Sequence, residues 1–87
     1  TGIGPKDFTP DVIEKFCDKT IPGIMENIRL KYYDKIPSSI LSRSLAAVKD
    51  KTLIFALPGS VKAVQDYIDE ITKILEHAIL MLHGLGH

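Results

Sequence analysis

The sequence of 87 residues has no tryptophan, only one cysteine and no excess of either charge sign. Eleven basic side chains balance eleven acidic ones, which argues against a nucleic-acid partner, because general nucleic-acid binders carry a basic excess. The single cysteine, Cys17, excludes a disulfide within the chain and favours a reducing, cytoplasmic location. The apolar run at residues 78–82 is far shorter than the roughly 20 residues of a membrane span. We therefore expect neither a membrane partner nor a signal peptide.

Hydrophobic spacing predicts three helices. The first has Thr9 as its N-cap, Pro10 in its first turn and an end near Asp18. The others are predicted at residues 21–33 and, after a cap at Ser60, at residues 61–82, with Gly84 as the stop signal.

The segment between the second and third helices predicts two strands. "TLIFAL", residues 52–57, is rich in β-formers and nearly all apolar, which is typical of a strand covered on both faces. "SRSLAAV" has a weaker strand pattern, and "VKDK" would connect the two tightly. Two strands are too few for a complete α/β domain. Either the chain is part of a larger domain, or it is a small α+β fold.

A glycine-rich loop precedes the first helix. Gly2 and Gly4 allow close approach of the backbone to another group. Asp7 stands two residues before the predicted N-cap, where a carboxylate is either a turn or capping group or a magnesium ligand. Lys6 either faces a phosphate or is solvated, and the residues alone do not decide between these roles.

Two further segments carry polar groups suited to anions. In "LPGSVK", Pro58, Gly59 and Ser60 turn the chain from a strand into a helix, whose first N–H groups can bind an anion. Lys62 is a cation in that first turn, against the preference of the helix dipole. Ser42 and Arg43 offer a hydroxyl and a guanidinium, the latter either contacting phosphate or bridging loops.

These segments together resemble the MogA/MoaB family of molybdenum-cofactor biosynthesis proteins. The family pattern has a Gly-Gly-Thr-Gly loop, a Pro-Arg-Asp-x-Thr-Pro stretch, and later Leu-Ser-Arg and Leu-Pro-Gly-Ser/Asn segments. The matching segments here are residues 1–2, 5–10, 41–43 and 57–60, with a helix-entry tripeptide at 21–23. Lys6 stands where arginine is commoner, which keeps the charge but loses the bidentate fork.

The resemblance implies a three-layer α/β/α molybdopterin-binding fold, of which residues 1–87 are the C-terminal part. It implies a molybdopterin adenylyltransferase, which transfers AMP from Mg-ATP to molybdopterin and releases pyrophosphate. Asp7 becomes the candidate catalytic residue and Mg²⁺ ligand. The candidate molybdopterin or nucleotide contacts are Thr1, Gly2, Lys6, Ser42, Arg43, Pro58, Gly59, Ser60 and Lys62. A homotrimer and a molybdenum-insertion partner protein are further expectations.

Two other functions stay open at this point: a non-catalytic, MoaB-like molybdopterin-binding or scaffold protein, and a general nucleotide-binding domain. The three histidines, at positions 77, 83 and 87, lack an acidic or cysteine partner and are interpreted as surface residues. The tyrosines, at positions 32, 33 and 67, are interpreted as packing aromatics.

Overall fold

A computed structural model describes residues 1–85. It contains three α-helices, a short 3-10 helix and three β-strands. In chain order they are α1 (Thr9–Phe16), β1 (Lys19–Thr20), α2 (Pro22–Tyr32), the 3-10 helix (Pro37–Leu41), β2 (Leu45–Lys49), β3 (Thr52–Ala56) and α3 (Val61–Leu82).

The three strands form one antiparallel sheet with β2 in the centre. Leu45 lies opposite Ala56 and Lys49 opposite Thr52, so a two-residue turn joins β2 to β3. Asp50 in this turn has a φ of 53°, as short hairpin turns require. Its backbone N–H donates to the Asp18 carboxylate at 2.7 Å, which lowers the pKa of Asp18. The tight connection predicted from "VKDK" is confirmed.

Helices cover both faces of this sheet. Ala46 packs with Met25 and Ile71, so its face of β2 lies against α2 and α3. Side chains alternate along a strand, and Lys49 therefore lies on the opposite face from Ala46. The Lys49 ammonium lies 5.3 Å from the centroid of the Phe16 ring in α1. The described residues thus form three layers, with α1 on one side and α2 and α3 on the other.

The predicted helices are confirmed, with two corrections at α1. Phe8, and not Thr9, occupies the N-cap position, and it makes no side-chain capping hydrogen bond. The helix ends at Phe16 because Cys17 is already extended. Ser60 caps α3 as predicted, since its hydroxyl accepts from the Ala63 N–H at 3.2 Å. Gly84 ends that helix region with a φ of 74°.

The strand prediction needs a correction too. "TLIFAL" was expected to be covered on both faces, but Leu53, Ile54 and Phe55 are only half-buried. The reason is position, because within residues 1–85 β3 pairs with β2 alone and lies at the edge of the sheet. The weaker pattern belongs to the central strand β2, whose middle residues are buried alanines and a valine.

Within residues 1–85, no helix combines the length and apolar character needed to cross a membrane.

Candidate active-site cleft

The loop before α1 closes on itself around Asp7. The Asp7 N–H donates to the carbonyl oxygen of Gly4 at 3.1 Å, and the Gly4 N–H donates to Asp7 Oδ2 at 2.9 Å. A Cβ atom on Gly2 or Gly4 would lie 2.9 or 2.8 Å from that same carboxylate oxygen. Real Cβ atoms do not approach so closely. The two glycines therefore leave the space that the Asp7 carboxylate occupies.

Arg43, two residues before β2, holds this loop through hydrogen bonds. Its Nε donates to the carbonyl oxygen of Gly2 at 2.9 Å, and one terminal nitrogen donates to the carbonyl oxygen of Asp7. Both terminal nitrogens also reach the Asp11 carboxylate, at 3.0 and 3.1 Å. This bidentate contact lowers the pKa of Asp11 and raises that of Arg43. The loop-bridging role, one of the two left open for Arg43, matches these contacts.

The turn between β3 and α3 lies across from the glycine-rich loop. Pro58 and Gly59 follow the end of β3, and Ser60 begins α3 with its capping hydroxyl. Apart from its chain neighbours, no atom of residues 1–85 lies within 4 Å of a Cβ atom on Gly59, so this backbone is open on one side. An open backbone turn at a helix N-terminus can accept an anionic ligand.

A cleft of about 550 Å³ joins these elements. It is lined by residues from the glycine-rich loop, the 3-10 helix and the turn before α3: Thr1, Gly2, Ile3, Asp7, Ser38, Leu41, Ser42, Pro58, Gly59 and Ser60. The structure thus brings Thr1, Gly2, Asp7 and Ser42 together with the Pro58–Ser60 turn. Lys6 is exposed, and it lies outside this lining.

A second cavity, of about 290 Å³, opens beside the first. We call it the side cavity. The two share Ser38, Ser42, Pro58 and Ser60 as lining residues, so a ligand can extend from one into the other. The remaining lining of the side cavity combines apolar side chains with polar groups from α3 and from the 3-10 helix: Ile28, Tyr32, Ile36, Ser39, Lys62, Ala63, Asp66 and Tyr67.

Lys62 lines the side cavity, and it is half of an ion pair. Its ammonium lies 2.7 Å from Oδ1 of the largely buried Asp66, one helical turn further along α3. The hydrogen bond that Lys62 donates to the Asp66 carboxylate raises the pKa of Lys62. A cation in the first turn of a helix is disfavoured by the dipole, and the pairing with Asp66 offsets this.

Several residues in and around the cleft were not expected from the sequence. Asp11 pairs with Arg43 from 32 positions away, and Arg29 binds the backbone and side chain of Ser44 across 15 positions. Such pairs depend on the tertiary fold and leave no local pattern. For Tyr67 the packing role is confirmed by its place in the core, but its hydroxyl also contacts Ser44 at 3.1 Å.

The part of the chain that the structure describes holds no cluster of three or more His, Cys, Asp or Glu side chains arranged for a metal ion. His77 and His83 belong to this part, whereas His87 lies outside the described residues. Asp7 has one carboxylate oxygen, Oδ2, bound to Gly4, and for Oδ1 no hydrogen bond is found among residues 1–85. A cation at this site would therefore rest on Asp7 Oδ1 and on ligand oxygens.

The chain matches the family model described as a probable molybdopterin binding domain over residues 1–77. It is 33% identical to a molybdopterin adenylyltransferase of Helicobacter pylori over 85 residues, which are 95% of this chain and 48% of that protein. It is 35% identical to gephyrin of Dictyostelium discoideum over 84 residues, 97% of this chain and 12% of that protein.

The chain is also similar to solved structures of molybdopterin biosynthesis proteins. The molybdopterin biosynthesis Mog protein of Mycobacterium ulcerans superposes with a TM-score of 0.89 at 39% identity, over 94% of this chain and 54% of that one. MoaB of Thermus thermophilus superposes with a TM-score of 0.85 at 36% identity, over 99% and 54%. The chain spans about half the length of the adenylyltransferase it matches, and about half of each of these structures. It belongs to the MogA/MoaB family of molybdopterin-binding domains.

Proposed function

We propose that the complete protein is a molybdopterin adenylyltransferase. In this reaction an oxygen of the terminal phosphate of molybdopterin attacks the α-phosphorus of ATP. A new P–O bond forms, the bond between the α-phosphorus and its bridging oxygen to the β-phosphate breaks, and pyrophosphate leaves. The observation that carries the proposal is the shared cleft, in which Asp7 faces the same space as the Pro58–Ser60 turn.

The proposed roles follow from the charges that this reaction must handle. Transfer of a nucleotidyl group needs positioning and neutralisation of phosphate charge more than covalent catalysis. The N-terminus of α3 offers N–H groups to a phosphate, and Ser60 lies at that end. Thr1, Gly2 and Ser42 line the same space and are proposed ligand contacts.

Mg²⁺ fits the oxygen chemistry of Asp7. Magnesium in such sites is held by one or two carboxylates, substrate phosphates and water, so a single carboxylate oxygen is a sufficient anchor. When bound with ATP, the ion would neutralise charge on the phosphates. The protein's own contribution is to hold the carboxylate in place, through the Gly4 N–H and through Arg43 at the Asp7 carbonyl.

Lys6 and Arg43 are proposed to have different roles. Arg43 is engaged with the loop and with Asp11, so we propose that it positions Asp7 rather than binding phosphate. Lys6 is exposed beside Asp7 and is proposed to reach the ligand only through its flexible side chain. Lys62 lines the side cavity and is proposed to contact the ligand there.

The direct test is to incubate the complete protein with Mg-ATP and molybdopterin and to measure pyrophosphate together with adenylylated molybdopterin. We expect both products in equal amounts, and neither when molybdopterin is omitted. Molybdopterin binding without pyrophosphate release would favour the non-catalytic, MoaB-like role. The similarity to a MoaB structure supports that alternative. Equal affinity for unrelated nucleotides and none for molybdopterin would contradict both.

A further inference from the structure

A buried chain of hydrogen bonds ends at the side cavity. One terminal nitrogen of Arg29 in α2 donates to both the carbonyl oxygen and the hydroxyl of Ser44, at 3.1 Å each. The Ser44 Oγ lies 3.1 Å from the Tyr67 hydroxyl oxygen in α3. Ser44 and Tyr67 are each only 5% exposed. We call these three residues the hydroxyl relay.

The chemistry of Arg29 fixes the direction of the relay. A guanidinium can only donate, so the Ser44 Oγ accepts from Arg29. The Ser44 O–H must then find an acceptor, and among the described residues the Tyr67 oxygen is the one it contacts. If Tyr67 donated instead, a buried hydroxyl proton on Ser44 would have no partner, which is unfavourable. Ser44 therefore donates to Tyr67.

This direction leaves the Tyr67 O–H proton unused. Tyr67 makes no other side-chain hydrogen bond within residues 1–85, and it lines the side cavity with Ser42 and Ser60. A phenol that already accepts a hydrogen bond becomes a better donor, because hydrogen bonds in a chain polarise one another. The relay thus presents a fixed donor to whatever enters the side cavity.

We propose that Tyr67 is a ligand-binding residue that donates to an uncharged acceptor on a planar heterocycle, either a carbonyl oxygen or a ring nitrogen. This inference rests on the proposed function and deepens it. Lys62 and Asp66 line the same cavity as an ion pair, so the Lys62 charge is already balanced and the cavity offers a phosphate no net positive charge, whereas a heterocycle offers N–H donors as well as acceptors. The phosphates then remain in the main cleft, beside Ser60 and Asp7.

The test measures the dissociation constant of the complete protein for molybdopterin. Tyr67→Phe removes the hydroxyl and keeps the ring that packs in the core. A neutral hydrogen bond lost in this way corresponds to roughly 3- to 10-fold weaker binding. Tyr33→Phe is the matched control, because Tyr33 is exposed and lies outside the lining of both cavities, and its affinity should equal that of the wild type.

A second variant separates ligand contact from a structural effect. Ser44→Ala removes the polarising contact with Tyr67 but keeps the phenol and its proton, and because such polarisation is a small part of a hydrogen bond, binding should stay within about 2-fold of the wild type. Equal affinity of Tyr67→Phe and the wild type would overturn this inference but not the proposed function. Equal losses in Tyr67→Phe and Ser44→Ala would also overturn it, since the hydroxyl would then act through the fold. Failure of the wild type to bind molybdopterin would overturn the proposed function and the inference with it.

Discussion

The Arg43 side chain donates from Nε to the carbonyl oxygen of Gly2 at 2.9 Å, across 41 positions of the sequence. The backbone N–H of Arg43 donates to the carbonyl oxygen of Thr1 at 2.6 Å, so the two segments are joined twice. The glycine-rich loop therefore does not depend on its own residues alone for its position. Its geometry, and with it the position of Asp7, is tied to the start of β2.

Arg43→Lys should loosen this loop while keeping the positive charge. Lysine has a single ammonium and cannot donate to Gly2, Asp7 and Asp11 at once from the planar arrangement that arginine offers. We expect faster hydrogen exchange at the Gly4 and Asp7 amides and at least 10-fold slower AMP transfer.

Lys49→Arg is a suitable control for that experiment, because Lys49 pairs with Asp18 at the opposite end of β2. Unchanged amide exchange in Arg43→Lys would show that the guanidinium does not hold the loop.

Gly4→Ala should move the Asp7 carboxylate without unfolding the protein. The new Cβ atom would lie 2.8 Å from Asp7 Oδ2, and that oxygen is at the end of a side chain that can rotate away. The melting temperature should change little, whereas AMP transfer should fall roughly 10- to 100-fold because the carboxylate is displaced. Differential scanning calorimetry and a pyrophosphate assay measure the two effects.

Gly23→Ala is the matched control, because a Cβ atom there meets no other group within 4 Å in the part of the chain that the structure describes. It should retain full activity. A Gly4→Ala enzyme as active as the wild type would mean that the exact position of the carboxylate does not matter.

The elements that the sequence predicted well are those whose signals are local. The Ser60 cap, the periodic apolar positions of α3 and Gly84 all act within a few residues of one another, so the bounds of this helix could be predicted. β1 could not, because Lys19 and Thr20 are exposed and become a strand only by pairing with Val48 and Ala47. The prediction that β3 is the strand covered on both faces was wrong, because burial depends on which strand lies in the centre of the sheet.

For the candidate site, the sequence predicted the lining residues better than it predicted their partners. The four motifs identified the family, which is confirmed, and each motif contributes at least one lining residue to the cleft, although Lys6 and Arg43 lie outside that lining. The partner of Arg43 was not predictable, since Asp11 lies 32 positions away and meets it only in the folded chain. The partner of Lys62 is a local one, because Asp66 lies four positions further along the predicted helix. The catalytic role of Asp7, the trimer and the cytoplasmic location stay predictions.

Acid should destabilise the protein partly through Asp11. Its folded-state pKa lies below the unfolded value, because Arg43 donates to the carboxylate. The pair therefore contributes stability above about pH 4, and this contribution is lost as the pH falls through the folded-state pKa. The melting temperature of Asp11→Asn should fall less steeply between about pH 5 and pH 2.5 than that of the wild type.

Asp34→Asn serves as the control for acid stability, since Asp34 is exposed and makes no side-chain contact among those found in residues 1–85. Its melting curve should follow that of the wild type. Identical acid profiles for Asp11→Asn and the wild type would show that the Arg43 pair does not stabilise the folded state.

Asp7→Asn should stop chemistry while leaving molybdopterin bound. The amide has nearly the same shape but lacks the charge that a Mg²⁺ ligand needs, so we expect AMP transfer to fall by roughly 100-fold or more. Calorimetric titration should give an affinity for molybdopterin within about 2-fold of the wild type. Normal turnover by Asp7→Asn, at the rate of an Asp34→Asn control, would rule out the catalytic role.

Ser60 allows its two roles, as helix cap and as ligand contact, to be separated. Ser60→Ala removes the oxygen that accepts from the Ala63 N–H and should lower the free energy of unfolding by about 1 kcal/mol. Ser60→Asp keeps a capping oxygen and should retain near-wild-type stability, but it places a negative charge in the cleft, where it would repel phosphate. Urea denaturation and ATP titration together measure both properties. If Ser60→Asp binds ATP as tightly as the wild type, the phosphates do not lie at the N-terminus of α3.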